Sequence, residues 1–143
     1  MNKEEIKTHI NKVLSCSMAT IENGKPRVRG IMLYKADDRG IIFHTGKMKD
    51  LYKQLKANPN AEICILDPQT FVQVRVSGQF EELNDDSLKD EIINAPGREF
   101  IKKWIEAGKF KGKEDLAVFT MKTGKAFRWS MANNFDKKEL VDL

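Results

Sequence analysis

Residues 26–59 read PRVRGIMLYKADDRGIIFHTGKMKDLYKQLKANP. Two runs of β-favouring residues, Val28–Tyr34 and Gly40–His44, flank a polar turn, Ala36-Asp37-Asp38-Arg39. The second run empties into Thr45-Gly46-Lys47, and an amphipathic helix follows with Met48, Leu51, Tyr52 and Leu55 on one face. Asn58-Pro59 ends that helix, because proline has no amide to donate and disfavours helical backbone in the residue before it. Lys47, Lys49 and Lys53 therefore crowd one strand-to-helix junction together with Thr45 and Gln54. Free amides at a helix N-terminus, a hydroxyl and ammonium groups suit a phosphate. Lys49 and Lys53 are four apart and share a helix face. The string lacks the GxxxxGK[ST] spacing of a P-loop, so nucleoside triphosphate hydrolysis is not expected. Arg27 and Arg29, two apart on the preceding strand, point one way and could clamp a phosphate bidentately.

Outward from this centre, the N-terminal side reads as one helix and a hairpin. Asn2 caps a helix over residues 3–14, with Ile6, Ile10, Val13 and Leu14 at helical spacing and His9 on its surface. SCSMATIE, residues 15–22, is a strand, Asn23-Gly24 is a strong hairpin signal and Pro26 opens the return strand. Gly40–His44 is expected to pair onto Val28–Tyr34, which makes a meander.

On the C-terminal side, Ala61–Leu66 is a buried strand and Thr70–Leu83 a longer one. In its middle Val72, Val74 and Val76 alternate with Gln73, Arg75 and Ser77, and Gly78 marks a bulge or a close backbone approach. A helix runs from Asn84-Asp85-Asp86 to Ile93 and breaks at Ala95-Pro96-Gly97. A second carries Phe100, Ile101, Trp104 and Ile105 on one face and closes at Gly108, which makes Trp104 a core residue. Leu116–Lys122 and Lys125–Ser130 are strands around Thr123-Gly124, and residues 132–143 are a polar tail or a clasp on a partner subunit. The sum is a mainly β chain of six strands with peripheral helices. Without a repeating βαβ unit, an antiparallel barrel is favoured over a doubly wound sheet.

Composition bounds the rest. The chain of 143 residues suits one domain, 1–143, and carries a formal net charge of +4 at pH 7. Its lysines are interleaved with acids and no RNP-like, zinc-finger or arginine-rich pattern occurs, so nucleic acid is not the expected partner. No apolar run approaches the roughly 18 residues of a membrane span, and the charged start MNKEEIKTHINK is unlike a secretory signal, which together lead to a cytoplasmic expectation. Cys16 and Cys64 read as buried free thiols. No serine has a nucleophile-elbow context, and His9 and His44 are too few for a zinc site, so no catalytic residue is assigned from sequence. Trp129, after Phe127 and Arg128, either covers a flat ligand or packs in the core or a dimer interface. A phosphate-type site on a chain poor in catalytic side chains implies that a cofactor carries the chemistry.

The strand PRVRGIMLY, the strand end FHT, the helix end LKANP and the later VQVRVSG, in this order, resemble the pyridoxamine 5'-phosphate oxidase-like, FMN-binding split-barrel family. The resemblance covers about Ser15 to Trp129 and looks closest to small bacterial general-stress and nitroimidazole-resistance members. It implies a six-stranded antiparallel split β-barrel, a homodimer, and FMN at the subunit interface. Carried over by residue, Arg29, Gly30, Ile31 and Met32 would line the flavin. His44 and Thr45 would sit at the strand end, Thr45 near the phosphate. Gln73 would lie near the flavin, and Trp129 would approach it from the partner.

Many members carry an Arg/Ser-Arg-Lys-type run before the Asn-Pro where this chain has Lys49-Asp50-Leu51, so Lys47, Lys49 or Lys53 would supply the missing charge. The long C-terminal segment of true pyridoxamine phosphate oxidases has no counterpart here, and vitamin B6 oxidation is not expected. The implied activity is an FMN-dependent oxidoreductase acting with a small-molecule electron donor or acceptor. The alternatives are a non-catalytic flavin-binding or stress-related protein, or a barrel that binds haem or a deazaflavin.

Overall fold

A computed structural model describes all 143 residues. Helix α1 (Lys3–Val13) opens with a complete capping box: the Glu5 amide donates to Asn2 Oδ1 at 2.9 Å and the Asn2 amide to Glu5 Oε2 at 3.3 Å. Its inner face buries Ile6, His9 and Ile10. His9 is thus a core-facing residue rather than a surface one, since it lies three residues from Ile6, and its Nε2 stands 3.0 Å from the Ile65 carbonyl.

Strands β1 (Ser15–Glu22) and β2 (Lys25–Met32) form the expected hairpin. Asn23 and Gly24 both have positive φ, 53° and 74°, as a two-residue primed turn requires. The meander ends there. Beyond Met32 the chain changes sheets: the Leu33 amide bonds the Leu14 carbonyl at 2.9 Å, and the Tyr34 amide bonds the Ile42 carbonyl at 2.7 Å. Residues expected to form the turn instead supply a short strand, β3 (Lys35–Asp37), paired with β4 (Gly40–Gly46). Helix α2 (Asp50–Ala57), β5 (Asn60–Leu66) and β6 (Gln73–Gln79) follow.

The long strand expected over 70–83 is also two. Phe80, whose amide reaches the Pro59 carbonyl at 3.0 Å and whose ring is buried, separates β6 from β7 (Glu81–Leu83). The register of β5 on β6 is unbroken through Gly78, so there is no bulge. There is a close approach: a Cβ at Gly78 would stand 2.8 Å from the Thr123 carbonyl oxygen.

Helices α3 (Asp86–Ile93) and α4 (Glu99–Glu106), then β8 (Leu116–Met121), β9 (Gly124–Trp129) and β10 (Val141–Asp142), complete the chain. Two antiparallel sheets result, of order β10-β9-β6-β5-β1-β2 and β3-β4-β8-β7, ten strands where six were expected. They face each other as a split barrel. Part of the C-terminal stretch belongs to the chain's own sheet: Val141 and Asp142 pair with Ala126 and Lys125, and the Leu143 amide bonds the Gly124 carbonyl at 3.0 Å.

Every residue of β8 is buried because both its faces are covered. Ala117, Phe119 and Met121 join the barrel core, while Leu116 and Val118 meet a second cluster under α3 and α4 with Ile42, Leu88, Ile92, Ile101 and Phe110. At the barrel centre the Phe43 ring meets Phe80 edge-on at 4.9 Å and stacks on Phe119 at 5.4 Å. Phe43→Ala is expected to destabilise the chain by about 3–5 kcal/mol, measured as the shift of the calorimetric melting transition.

Candidate functional site

The change of sheet at Leu33 leaves β2 with a free edge. β2 ends the six-stranded sheet and has no strand on its outer side. In the register of the hairpin, Arg27, Arg29 and Ile31 exchange hydrogen bonds with β1, whereas Pro26, Val28, Gly30 and Met32 direct their backbone groups to the open edge. Pro26, which has no amide, is tolerated on this edge for that reason. A Cβ built on Gly30 meets nothing within 4 Å, so a flat molecule can approach the backbone there.

β4 leads through Lys47 and Met48 into α2, whose Gln54 reaches Arg29 of β2. Lys49 stands at the N-cap of α2 and makes no side-chain cap, which leaves the first-turn amides without a side-chain acceptor. Lys47 is half-buried, with its amide held by the Asp115 carbonyl at 2.8 Å, and Lys49 and Lys53 are exposed. Cations beside the positive pole of a helix repel it, and an anion relieves that repulsion. Leu51 turns into the barrel core, so that position presents no group to the cleft.

Arg29 is inside a network rather than free. Its Nη1 donates to Thr20 Oγ1 at 2.8 Å and to the Met18 carbonyl at 3.2 Å, and its Nη2 donates to Gln54 Oε1. Thr20 Oγ1 also donates to Gln54 Oε1, at 2.7 Å, while Gln54 Nε2 donates to Glu22 Oε2 at 3.2 Å. Burial pulls the Arg29 pKa down, against the raising effect of Asp50 and Glu22 nearby. Arg27 does not join it, and instead pairs with Glu22 at 3.2 Å on the exposed end of the hairpin.

Adjacent residues of β4 point opposite ways. Ile41 and Phe43 face the barrel core and Ile42 faces the second cluster, so alternation turns Thr45 toward the barrel and His44 toward α4. The His44 ring lies 6.2 Å from Phe100, and its Nε2 is buried without a hydrogen-bond partner. Burial first, and the Arg98 cation second, push its pKa from 6.5 down to about 4.

Gln73 and Trp129 sit elsewhere. They face each other across β6 and β9, three and four strands from β2, roughly 14 and 19 Å across the sheet. Gln73 Oε1 accepts from Arg75 at 3.1 and 3.0 Å and from Cys64 Sγ at 3.5 Å; Trp129 Nε1 donates to Asn134 Oδ1 at 2.9 Å. One chain therefore joins Arg29 to Gln54 by a hydrogen bond, sets Lys47, Lys49 and Lys53 around the start of α2, and places Thr45 beside His44 and Lys49 in the lining of one cavity, while Gln73 and Trp129 lie apart on the outer sheet face.

Sequence reasoning overlooked Arg98. It is buried, has no carboxylate partner, donates through Nη2 to the Leu33 carbonyl at 2.7 Å and lies 5.8 Å from the Tyr34 ring. Only the Pro96-Gly97 break before it sets it apart in the sequence. Trp104 corrects the core expectation: it is 46% exposed, because Ile101 fills the buried side of α4. Cys16 is buried as expected, but Cys64 is only partly so, on the outer face of its strand.

A family model described as pyridoxamine 5'-phosphate oxidase matches residues 2–130. The pyridoxine/pyridoxamine 5'-phosphate oxidase of Mannheimia succiniciproducens is 28% identical over 116 residues, 79% of this chain and 55% of that protein. The chain thus spans about half the length of the curated relatives it matches. A NimC/NimA family protein from Clostridium acetobutylicum superposes with a TM-score of 0.75 at 17% identity, covering 98% of this chain and 92% of the other. A pyridoxamine 5'-phosphate oxidase-related, FMN-binding protein from Nostoc punctiforme does so with 0.65 at 16% identity, covering 99% and 94%.

The lowered pKa of His44 has a definite sign. Its folded-state value lies below the unfolded one, so its contribution to stability is complete above about 6.5 and is lost as pH falls toward about 4. NMR titration of the ring is expected to give a midpoint near 4, and His44→Gln should flatten the fall in melting temperature between pH 6.5 and 4. A midpoint near 6.5 would contradict the burial.

Proposed function

The chain belongs to the pyridoxamine 5'-phosphate oxidase family, and on that premise we propose that it is an FMN-binding flavoprotein, an oxidoreductase that exchanges electrons with a small molecule. The observations that carry this reading are the unpaired backbone edge of β2, the uncrowded Gly30 on that strand and the uncapped, lysine-flanked start of α2. Backbone groups at Gly30 and Met32 would bond the polar rim of the flavin ring, and Gly30 lets it lie close. The first-turn amides of α2, with Lys47, Lys49, Lys53 and Thr45, would hold the phosphate, as the chemistry of that donor set suits. Arg29, anchored by Thr20 and Gln54, would add positive potential from below without changing its rotamer. When bound, FMN supplies the electron or hydride transfer.

The working unit of this reading is a homodimer. Ile21, Val28, Met32 and Leu66 share the outer face of the six-stranded sheet and are 37%, 72%, 54% and 39% exposed. An apolar row of that kind marks an interface. Gln73 and Trp129 occupy the same face, too far from β2 to meet a flavin held by their own chain, so they would serve the site of the partner. Association would also cover the β2 edge, which otherwise invites pairing with other chains.

The tests are direct. Purified protein mixed with FMN and passed through a desalting column should retain about one flavin per chain by absorbance, and light scattering should give twice the chain mass of 16.4 kDa. Anaerobic NADH or NADPH followed by air should bleach and restore the flavin bands. Gly30→Val fills only open space, so it should melt within a few degrees of wild type yet bind FMN at least tenfold more weakly. Undiminished flavin in that variant would remove the ligand from β2.

A further inference from the structure

The buried guanidinium of Arg98 has more donors than partners. At 6% exposure it makes one hydrogen bond, from Nη2 to the Leu33 carbonyl at 2.7 Å, and lies 5.8 Å from the Tyr34 ring. An arginine carries several N–H donors and stays protonated, so most of the donors and a full charge are left over. A buried charge without a counter-charge is costly. The acids of the adjoining helices do not supply one. Glu91 of α3 is taken by the Tyr34 hydroxyl at 2.6 Å and by Arg39 at 3.2 Å, and Glu99 of α4 accepts from the Gly97 amide at 3.1 Å.

His44 comes to the same region from β4. Its ring lies 6.2 Å from Phe100, in the first turn of the helix that Arg98 opens, and the Arg98 charge acts on its pKa. Its Nε2 is buried and has no hydrogen-bond partner. A buried cation without a counter-charge and a buried ring nitrogen without a partner therefore meet from separate elements. A neutral imidazole protonated on Nε2 is a donor, so both groups require an acceptor, and the guanidinium requires a negative one. Water would satisfy the donors and leave the charge.

We propose that Arg98 and His44 Nε2 together bind a small inorganic monoanion with the chemistry of a halide. The surroundings suit a small one: the Leu33 side chain is fully buried, and the Tyr34 and Phe100 rings stand beside the two donors. Through Arg98 the anion ties the start of α4 to the Leu33 carbonyl, and so to the point where β2 changes sheets. This site is independent of the flavin reading.

Bromide is the probe, titrated at neutral pH against gluconate at constant ionic strength. The His44 ring nitrogens, followed by NMR, should shift along one saturable curve, and the melting temperature should rise with bromide. Crystals soaked in bromide should give an anomalous peak within hydrogen-bond distance of Arg98 and His44 Nε2. Arg98→Gln should abolish the saturable response, Arg98→Lys should keep a weaker one, and His44→Leu should raise the Kd about threefold or more. Equimolar FMN should leave the curve unchanged. The absence of a saturable shift and of a bromide peak in wild type would overturn the proposal, and this holds even where Arg98→Gln fails to fold. A rise in melting temperature that Arg98→Gln retains in full would also overturn it, because salt screening then explains the effect. So would displacement of bromide by equimolar FMN, which assigns the anion to the lysine-flanked start of α2, or tighter binding of benzoate than of bromide, which assigns the two groups to a larger carboxylate.

Discussion

Leu33 is where the second strand changes partners. Its amide bonds Leu14 and the next amide bonds Ile42, in the other sheet. The side chain of Leu33 is fully buried at that corner, so the chain cannot slide to continue pairing with β1. From this one constraint follow the split of the barrel and the unpaired outer edge of β2. Had β2 continued straight into a meander, its free backbone groups would bond a neighbouring strand.

Charge around the cleft is arranged by depth. Arg29, the cation nearest the barrel, has its guanidinium held by Thr20, Met18 and Gln54, with Glu22 behind Gln54. Such a network fixes the group in place but spends its donors internally. Lys47, Lys49 and Lys53 stand around an uncapped helix start, Lys49 and Lys53 of them exposed. Leu51 has no part in this balance, since its side chain is core.

Strand β4 separates two chemistries by alternation alone. The alternation turns Thr45 toward the barrel side and His44 toward Phe100, and both border the cavity beside α4. Arg98 closes the far end of that second region with a guanidinium that meets only a carbonyl and the Tyr34 face. A neighbouring uncompensated cation and burial act in the same direction on His44, which keeps the imidazole neutral.

Much of this was legible in the chain itself. The capping box at Asn2, the Asn23-Gly24 turn, the stop at Asn58-Pro59 and the apolar periodicity of α4 are local signals, set by residues a few positions apart, and they placed most elements within a residue or two. Thr45, Gly46 and the lysines were readable as an anion site for the same reason. What the sequence could not express is which strand pairs with which. The runs 28–34 and 70–83 read as single strands because the apolar run Ile31–Tyr34 continues across Leu33 and the alternation of Val72, Val74 and Val76 reaches Phe80, yet at both points the chain crosses between sheets to bury a large side chain at a corner. Likewise the exposure of Trp104, the burial of His9, the network that occupies Arg29 and the isolation of Arg98 depend on contacts between residues distant in sequence. The sequence by itself determined the elements and the chemistry each one carries. Only the tertiary structure decided which backbone edge stays unpaired, because that depends on where burying Leu33 and Phe80 outweighs continuing a ladder of hydrogen bonds.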